Sequence, residues 1–167
     1  MAKRGGPSVA QCIMFPEELS SSADWTDLSR ILRAMGSELR CLLGPKIHFA
    51  MGRLSVRGAA FVRADQRQIV DLLRHVMIDA HDAMPDGGAV TIRAGRLREV
   101  AECAALVIHE VPDSRTADEV LSQARMRKGR SLGLCASYDA IKRVGGHFDV
   151  SCRERETVLT ICFPLAE

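Results

Sequence analysis

Residues 65–93, D-Q-R-Q-I-V-D-L-L-R-H-V-M-I-D-A-H-D-A-M-P-D-G-G-A-V-T-I-R, constrain this chain more than any other stretch. Their pattern predicts an amphipathic helix, a Pro-Asp-Gly-Gly turn and a strand. Asp71, His75, Asp79 and Asp82 are spaced four, four and three apart, which on a helix makes one polar stripe. Ile69, Leu72, Leu73, Val76, Ile78, Ala80 and Ala83 fall mostly on the remaining surface. The helix therefore packs one way and presents carboxylates and an imidazole the other. Such a helix is expected to carry a site.

The rest of the chain has room for one domain around that helix. It has 167 residues, 47% of them hydrophobic, enough to bury a single core. With 23 basic and 21 acidic residues the net charge is +2, which gives no field that argues for nucleic acid or for a membrane surface. The six cysteines form no C-x-x-C pair and several sit in apolar runs, so reduced thiols in a cytoplasmic core are expected. No apolar run is long enough to span a bilayer, and M-A-K-R-G-G-P is not followed by a signal-type apolar core. A cytoplasmic protein without membrane insertion is expected.

Residues 1–23 are rich in Gly, Pro and Ser and read as a flexible N-terminal segment, leaving 24–167 as the domain. Asp24 or Thr26 is expected to cap a helix running to about Leu43, with Trp25, Leu28, Ile31, Leu32, Met35 and Leu39 on its buried stripe. Gly44-Pro45 ends it. Residues 46–63 read as strand with breaks at Gly52 and Gly58, followed by the helix from Asp65. Strands are predicted at 89–98 and 104–111, helices at 117–127 and 131–144, and strands at 147–152 and 157–163. There is no internal repeat.

Residues 79–88, D-A-H-D-A-M-P-D-G-G, closely resemble the N-box of sensor histidine kinases and their relatives in the GHKL (Bergerat-fold) ATPase superfamily, N-A-x-D-A-M-P-x-G-G. Where the family has the Asn that holds magnesium, this chain has Asp79. Four residues earlier, where the family often has another Asn or a basic-type residue, stands His75. The family's D-x-G-x-G box, whose Asp accepts from the adenine amino group, is matched by residues 110–117, E-V-P-D-S-R-T-A. Asp113 keeps the acid, while Arg115 and Ala117 replace the two glycines that admit the purine. The lid motif G-T-G-L-G-L, whose amides meet phosphates, becomes G-R-S-L-G-L, keeping Gly129 and Gly133 and placing Ser131 at the middle position. The lid between Asp113 and Gly129 is short. Residues 137–151, S-Y-D-A-I-K-R-V-G-G-H-F-D-V-S, resemble the family's following helix, Gly-Gly turn and strand.

The resemblance, from about residue 28 to the end, implies a two-layer α/β sandwich: a mixed sheet of about five strands covered on one face by three helices. It implies ATP and Mg²⁺ as cofactors, with Asp79, Asp82, Asp113, Gly129, Ser131 and Gly133 lining one nucleotide cleft and Asp79 as the magnesium ligand. His75 stands where a base or phosphate-orienting group is placed, the alternative being a hydrogen-bonded structural histidine. Asp79 and Asp82 have bland readings as a solvated carboxylate and a helix-end residue. Arg125, Arg127, Lys128 and Arg130 flank the glycine loop and suit either phosphates or a solvated face. All five histidines fall inside this frame, and the roughly forty residues before it are too few for a phosphoacceptor hairpin of usual length. Self-phosphorylation is therefore not expected. The replaced box positions imply a degenerate signalling module that docks a response regulator or a histidine-containing hairpin protein, with weak or absent ATP binding. The alternatives are an ATP-dependent kinase acting on a separate partner in trans and, behind it, an anti-sigma-type serine kinase.

Overall fold

A computed structural model describes residues 25–54, 59–97, 103–113, 139, 141–142 and 145–165. The chain runs β1 (Thr26–Asp27), α1 (Leu28–Leu43), β2 (Ile47–Arg53), β3 (Phe61–Val62), α2 (Gln66–Ala83), β4 (Gly88–Leu97), β5 (Cys103–Pro112), β6 (His147–Arg153) and β7 (Glu156–Pro164). Five strands form a mixed sheet in the order β2-β4-β5-β7-β6, with β2 parallel to β4 and the other pairs antiparallel. Strands β1 and β3 make a separate antiparallel pair.

α1 begins one residue later than a Thr26 cap would place it, and Asp24 lies outside the described residues. Asp27 caps it, Oδ1 accepting from the Ser29 amide at 2.9 Å and the Arg30 amide at 3.3 Å. Thr26 is taken by β1, where it pairs with Val62 and its hydroxyl donates to the Ala64 carbonyl at 2.7 Å. Trp25 is consequently outside the helix and 41% exposed, not on the buried stripe, with the Arg63 guanidinium 5.5 Å from its ring centre. Gly44, at φ 75, ends α1 as expected. Asp65 caps α2 by accepting from the Arg67 amide at 2.8 Å.

The two helices pack on one face of the sheet. Leu28, Met35, Leu39 and Leu43 from α1 and Ile69, Leu72, Leu73, Val76 and Met77 from α2 meet Ile92, Leu106, Ile108, Leu159 and Ile161 from alternate strand positions. Met77, not Ile78, fills the core; Ile78 is 40% exposed because it lies a quarter-turn farther round, toward the polar stripe. Asp139, Ile141 and Lys142 are helical and fall within the helix expected at 131–144, and buried Ile141 joins the same core. The helix expected at 117–127 lies outside the described residues. The Gly58 break also lies outside them, and the strand expected across 46–63 is two strands, β2 and β3.

An ion pair ties the helices together, Arg74 Nε to Glu38 Oε1 at 2.6 Å, with Asp71 a weaker second partner at 3.4 Å. Cys103, Cys152 and Cys162 are free thiols, whereas Cys41 is disulfide-bonded, against the expectation that all six are reduced. Burial, followed by the neighbouring Cys103 thiol and Asp149, pushes the Cys162 thiol up to about 12, so it stays protonated at neutral pH and packs as a small apolar group. No helix among the described residues is long and apolar enough to cross a membrane.

Candidate nucleotide site

The polar stripe of α2 divides into residues that are already partnered and one that is not. Asp71 is exposed and shares Arg74 with Glu38. Asp82 is also exposed, its Oδ1 3.1 Å from Nδ1 of neighbouring His81. His75 is half-buried, one turn before Asp79. Asp79 is half-buried too, but its Oδ2 is buried outright and has no hydrogen-bond partner among the described residues. A buried carboxylate oxygen left unpaired costs free energy, so this atom is a place on the polar stripe where a ligand has something to offer.

The helix stops at Met84, whose amide donates to the His81 carbonyl at 3.1 Å, and Pro85-Asp86 turns the chain toward β4. Gly87, at φ 108, is needed both for that left-handed backbone and for space: a Cβ there would stand 2.8 Å from the Lys46 carbonyl oxygen and 3.3 Å from Asp113 Oδ2. Asp113 follows the last residue of β5, and its amide donates to the Gly87 carbonyl at 3.1 Å. The residue that follows β5 and the turn that follows α2 are thus hydrogen-bonded through their main chains. Gly129, Ser131 and Gly133, with Arg115 and Ala117, lie outside the described residues.

Two residues of this region escape sequence reasoning. Lys46 accepts from the Gly88 amide through its carbonyl and donates from Nζ to the Pro85 carbonyl, both at 3.4 Å, bracing the turn from the start of β2. Arg155, in the β6–β7 turn, donates from Nη2 to the Asp113 carbonyl at 2.7 Å and to the Pro112 carbonyl at 3.3 Å. Each acts on backbone carbonyls from a distant part of the chain, and no side-chain spacing announces such a contact.

The fold is similar to that of solved histidine-kinase domains. The catalytic domain of histidine kinase ThkA superposes with a TM-score of 0.61 at 16% identity, covering 88% of this chain and 98% of that one. The chain has the fold of histidine-kinase catalytic domains. A mycobacterial sensor histidine kinase, MprB, gives 0.59 at 18% identity, covering 84% of this chain and 97% of its own. The histidine kinase domain of the E. coli osmosensor EnvZ gives 0.58 at 13%, covering 90% and 92%. Among curated proteins, sensor kinase CckA of Brucella abortus (strain 2308) is 27% identical over 165 residues, which is 87% of this chain. The domain spans 17% of the length of that relative. No family model matches it. Its two-layer architecture is therefore the one the N-box resemblance implied, with α1, α2 and the helical residues around Ile141 on one face of the sheet.

Proposed function

We propose that this domain is a two-component signalling module in which the histidine-kinase catalytic fold binds ATP weakly or not at all and serves as a docking or regulatory surface. Its partner is a response regulator or a histidine-containing hairpin protein. Asp79 carries the reading. It replaces a neutral ligand by an anion at the point where the family meets the metal and the phosphates, and its Oδ2 has no hydrogen-bond partner among the described residues to offset that charge. Beside a phosphate at ~4 Å, with an effective dielectric near 20, the repulsion is on the order of 4 kcal/mol when no cation intervenes.

The same oxygen fits Mg²⁺, since hard cations take carboxylate oxygens. Among the described residues no group of three or more His, Cys, Asp or Glu can hold a metal, so Asp79 would contribute one ligand and nucleotide phosphates and water the remainder. When bound, Mg²⁺ supplies neutralisation of charge between Asp79 and the phosphates. On this reading Asp113 meets the purine end and Asp79 and Asp82 the phosphate end of one cleft, and the family resemblance assigns Gly129, Ser131 and Gly133, outside the described residues, to the phosphates. The preserved Asp113, braced against Gly87, supports a second reading, an ATP-dependent kinase acting on a separate partner in trans.

ATP titrations with and without Mg²⁺ test the role of Asp79. In metal-free buffer Asp79→Asn is expected to tighten ATP by about tenfold or more, and by clearly less when Mg²⁺ is present. An equal effect in both buffers, or none in either, contradicts an electrostatic role for Asp79.

A further inference from the structure

The tip of the β6–β7 hairpin reaches back to the end of β5. Arg153 pairs with Glu156, leaving Glu154 and Arg155 as a two-residue turn, and Glu154 takes the left-handed φ of 53 that such turns use. From this tip Arg155 Nη2 bridges the Asp113 and Pro112 carbonyls, at 2.7 and 3.3 Å. The next residue is fastened as well, Glu156 Oε1 lying 2.5 Å from His109 Nδ1 on β5. A guanidinium keeps its charge at any working pH, so the bonds to the β5 end are charge-assisted.

Strand ends fray unless something holds them. Here the last step of β5 is held from two directions. The α2–β4 turn takes the Asp113 amide at the Gly87 carbonyl, 3.1 Å away, and the hairpin tip takes the Asp113 carbonyl through Arg155. The exposed carboxylate is left as the free end of a fixed backbone unit. Reading a planar base demands such fixity, because a recognition group must be held to within about 0.5 Å of its productive position.

We propose that Arg155 is a positioning residue for purine recognition. It clamps the main chain at Pro112–Asp113 so that the Asp113 carboxylate keeps one direction and accepts a hydrogen bond from the exocyclic amine of adenine. The inference rests on the reading of Asp113 as the purine-facing carboxylate and adds what holds it there. It also separates the two ends of the site, since Arg155 donates to the end of β5 whereas Asp79 lies on α2. A nucleoside without phosphates therefore probes the clamp without meeting the Asp79 charge.

The test uses amide-resolved NMR on the full chain with adenosine or guanosine at millimolar concentration, together with hydrogen exchange at the Asp113 amide. In the unmodified protein adenosine is expected to move the Gly87 and Asp113 resonances and guanosine to leave them in place. Arg155→Ala is expected to speed Asp113 exchange by about tenfold or more and to abolish the preference for adenosine, with Arg155→Lys restoring part of both. Arg155→Met, which keeps the length of the side chain but no donor, is the second variant should the alanine form fail to fold. Slow exchange and an intact adenosine preference in Arg155→Ala or Arg155→Met overturn the clamp. Fast exchange in those variants without any adenosine response in the unmodified chain overturns the purine-facing role of Asp113, and the proposal with it.

Discussion

The double variant Asp79→Asn with Arg115→Gly is expected to bind Mg-ATP at least about tenfold more tightly than the unmodified chain. Two independent obstacles are removed. Asp79→Asn replaces the buried, unpartnered oxygen of an anion by an amide that neither repels phosphate nor needs neutralising. Arg115→Gly restores the residue that the histidine-kinase resemblance places where backbone approaches the purine. Each obstacle costs ~1 to 3 kcal/mol in a buried polar site, and they act at opposite ends of the nucleotide, so their removal adds in part. Calorimetry on the double variant and both single variants checks this. A double variant no tighter than the unmodified chain places the loss elsewhere in the site.

Gly88→Ala is expected to destabilise the fold by about 3 kcal/mol or more, measured by denaturant unfolding. A Cβ at Gly88 would stand 2.5 Å from the Val111 carbonyl oxygen, 2.8 Å from the Met84 sulfur and 3.0 Å from Pro112 Cα. Two of these three are backbone atoms of β5, directly paired with β4, so relief requires the central strands to separate. Gly52→Ala is the control. Its nearest neighbour is Cγ of the flexible Arg93 side chain at 3.5 Å, and a change within about 1 kcal/mol is expected. Equal losses at the two positions contradict the close β4–β5 approach as the reason for glycine at 88.

Much of this fold is legible in the sequence because its signals are local. The helix start at Asp65, the Gly44 stop and the strands β5 and β7 each depend on a few neighbouring residues, and the structure places them within a residue or two of expectation. The failures arise where a distant residue decides. Thr26 reads as a helix cap until Val62 and Ala64 claim its backbone and hydroxyl. Trp25 reads as core from its place on the apolar stripe of the expected helix, yet with Thr26 held in β1 it falls before the helix and beyond reach of the buried stripe. The site divides in the same way. The polar stripe of α2 is visible from spacing alone, but spacing does not distinguish Asp71 and Asp82, each beside a partner, from Asp79, whose Oδ2 has none among the described residues. Arg155 lies 42 residues from the carbonyl it holds and is visible only once β5 and β7 are side by side.

Calorimetric titration of the unmodified chain with Mg-ATP tests the central claim most directly. The charge of Asp79, the bulk of Arg115 and the short lid together are expected to weaken Mg-ATP at least ~100-fold relative to a domain with intact boxes, leaving little or no binding heat at micromolar concentrations. A micromolar dissociation constant in the unmodified protein contradicts the degenerate-module reading and makes the kinase acting in trans the leading function.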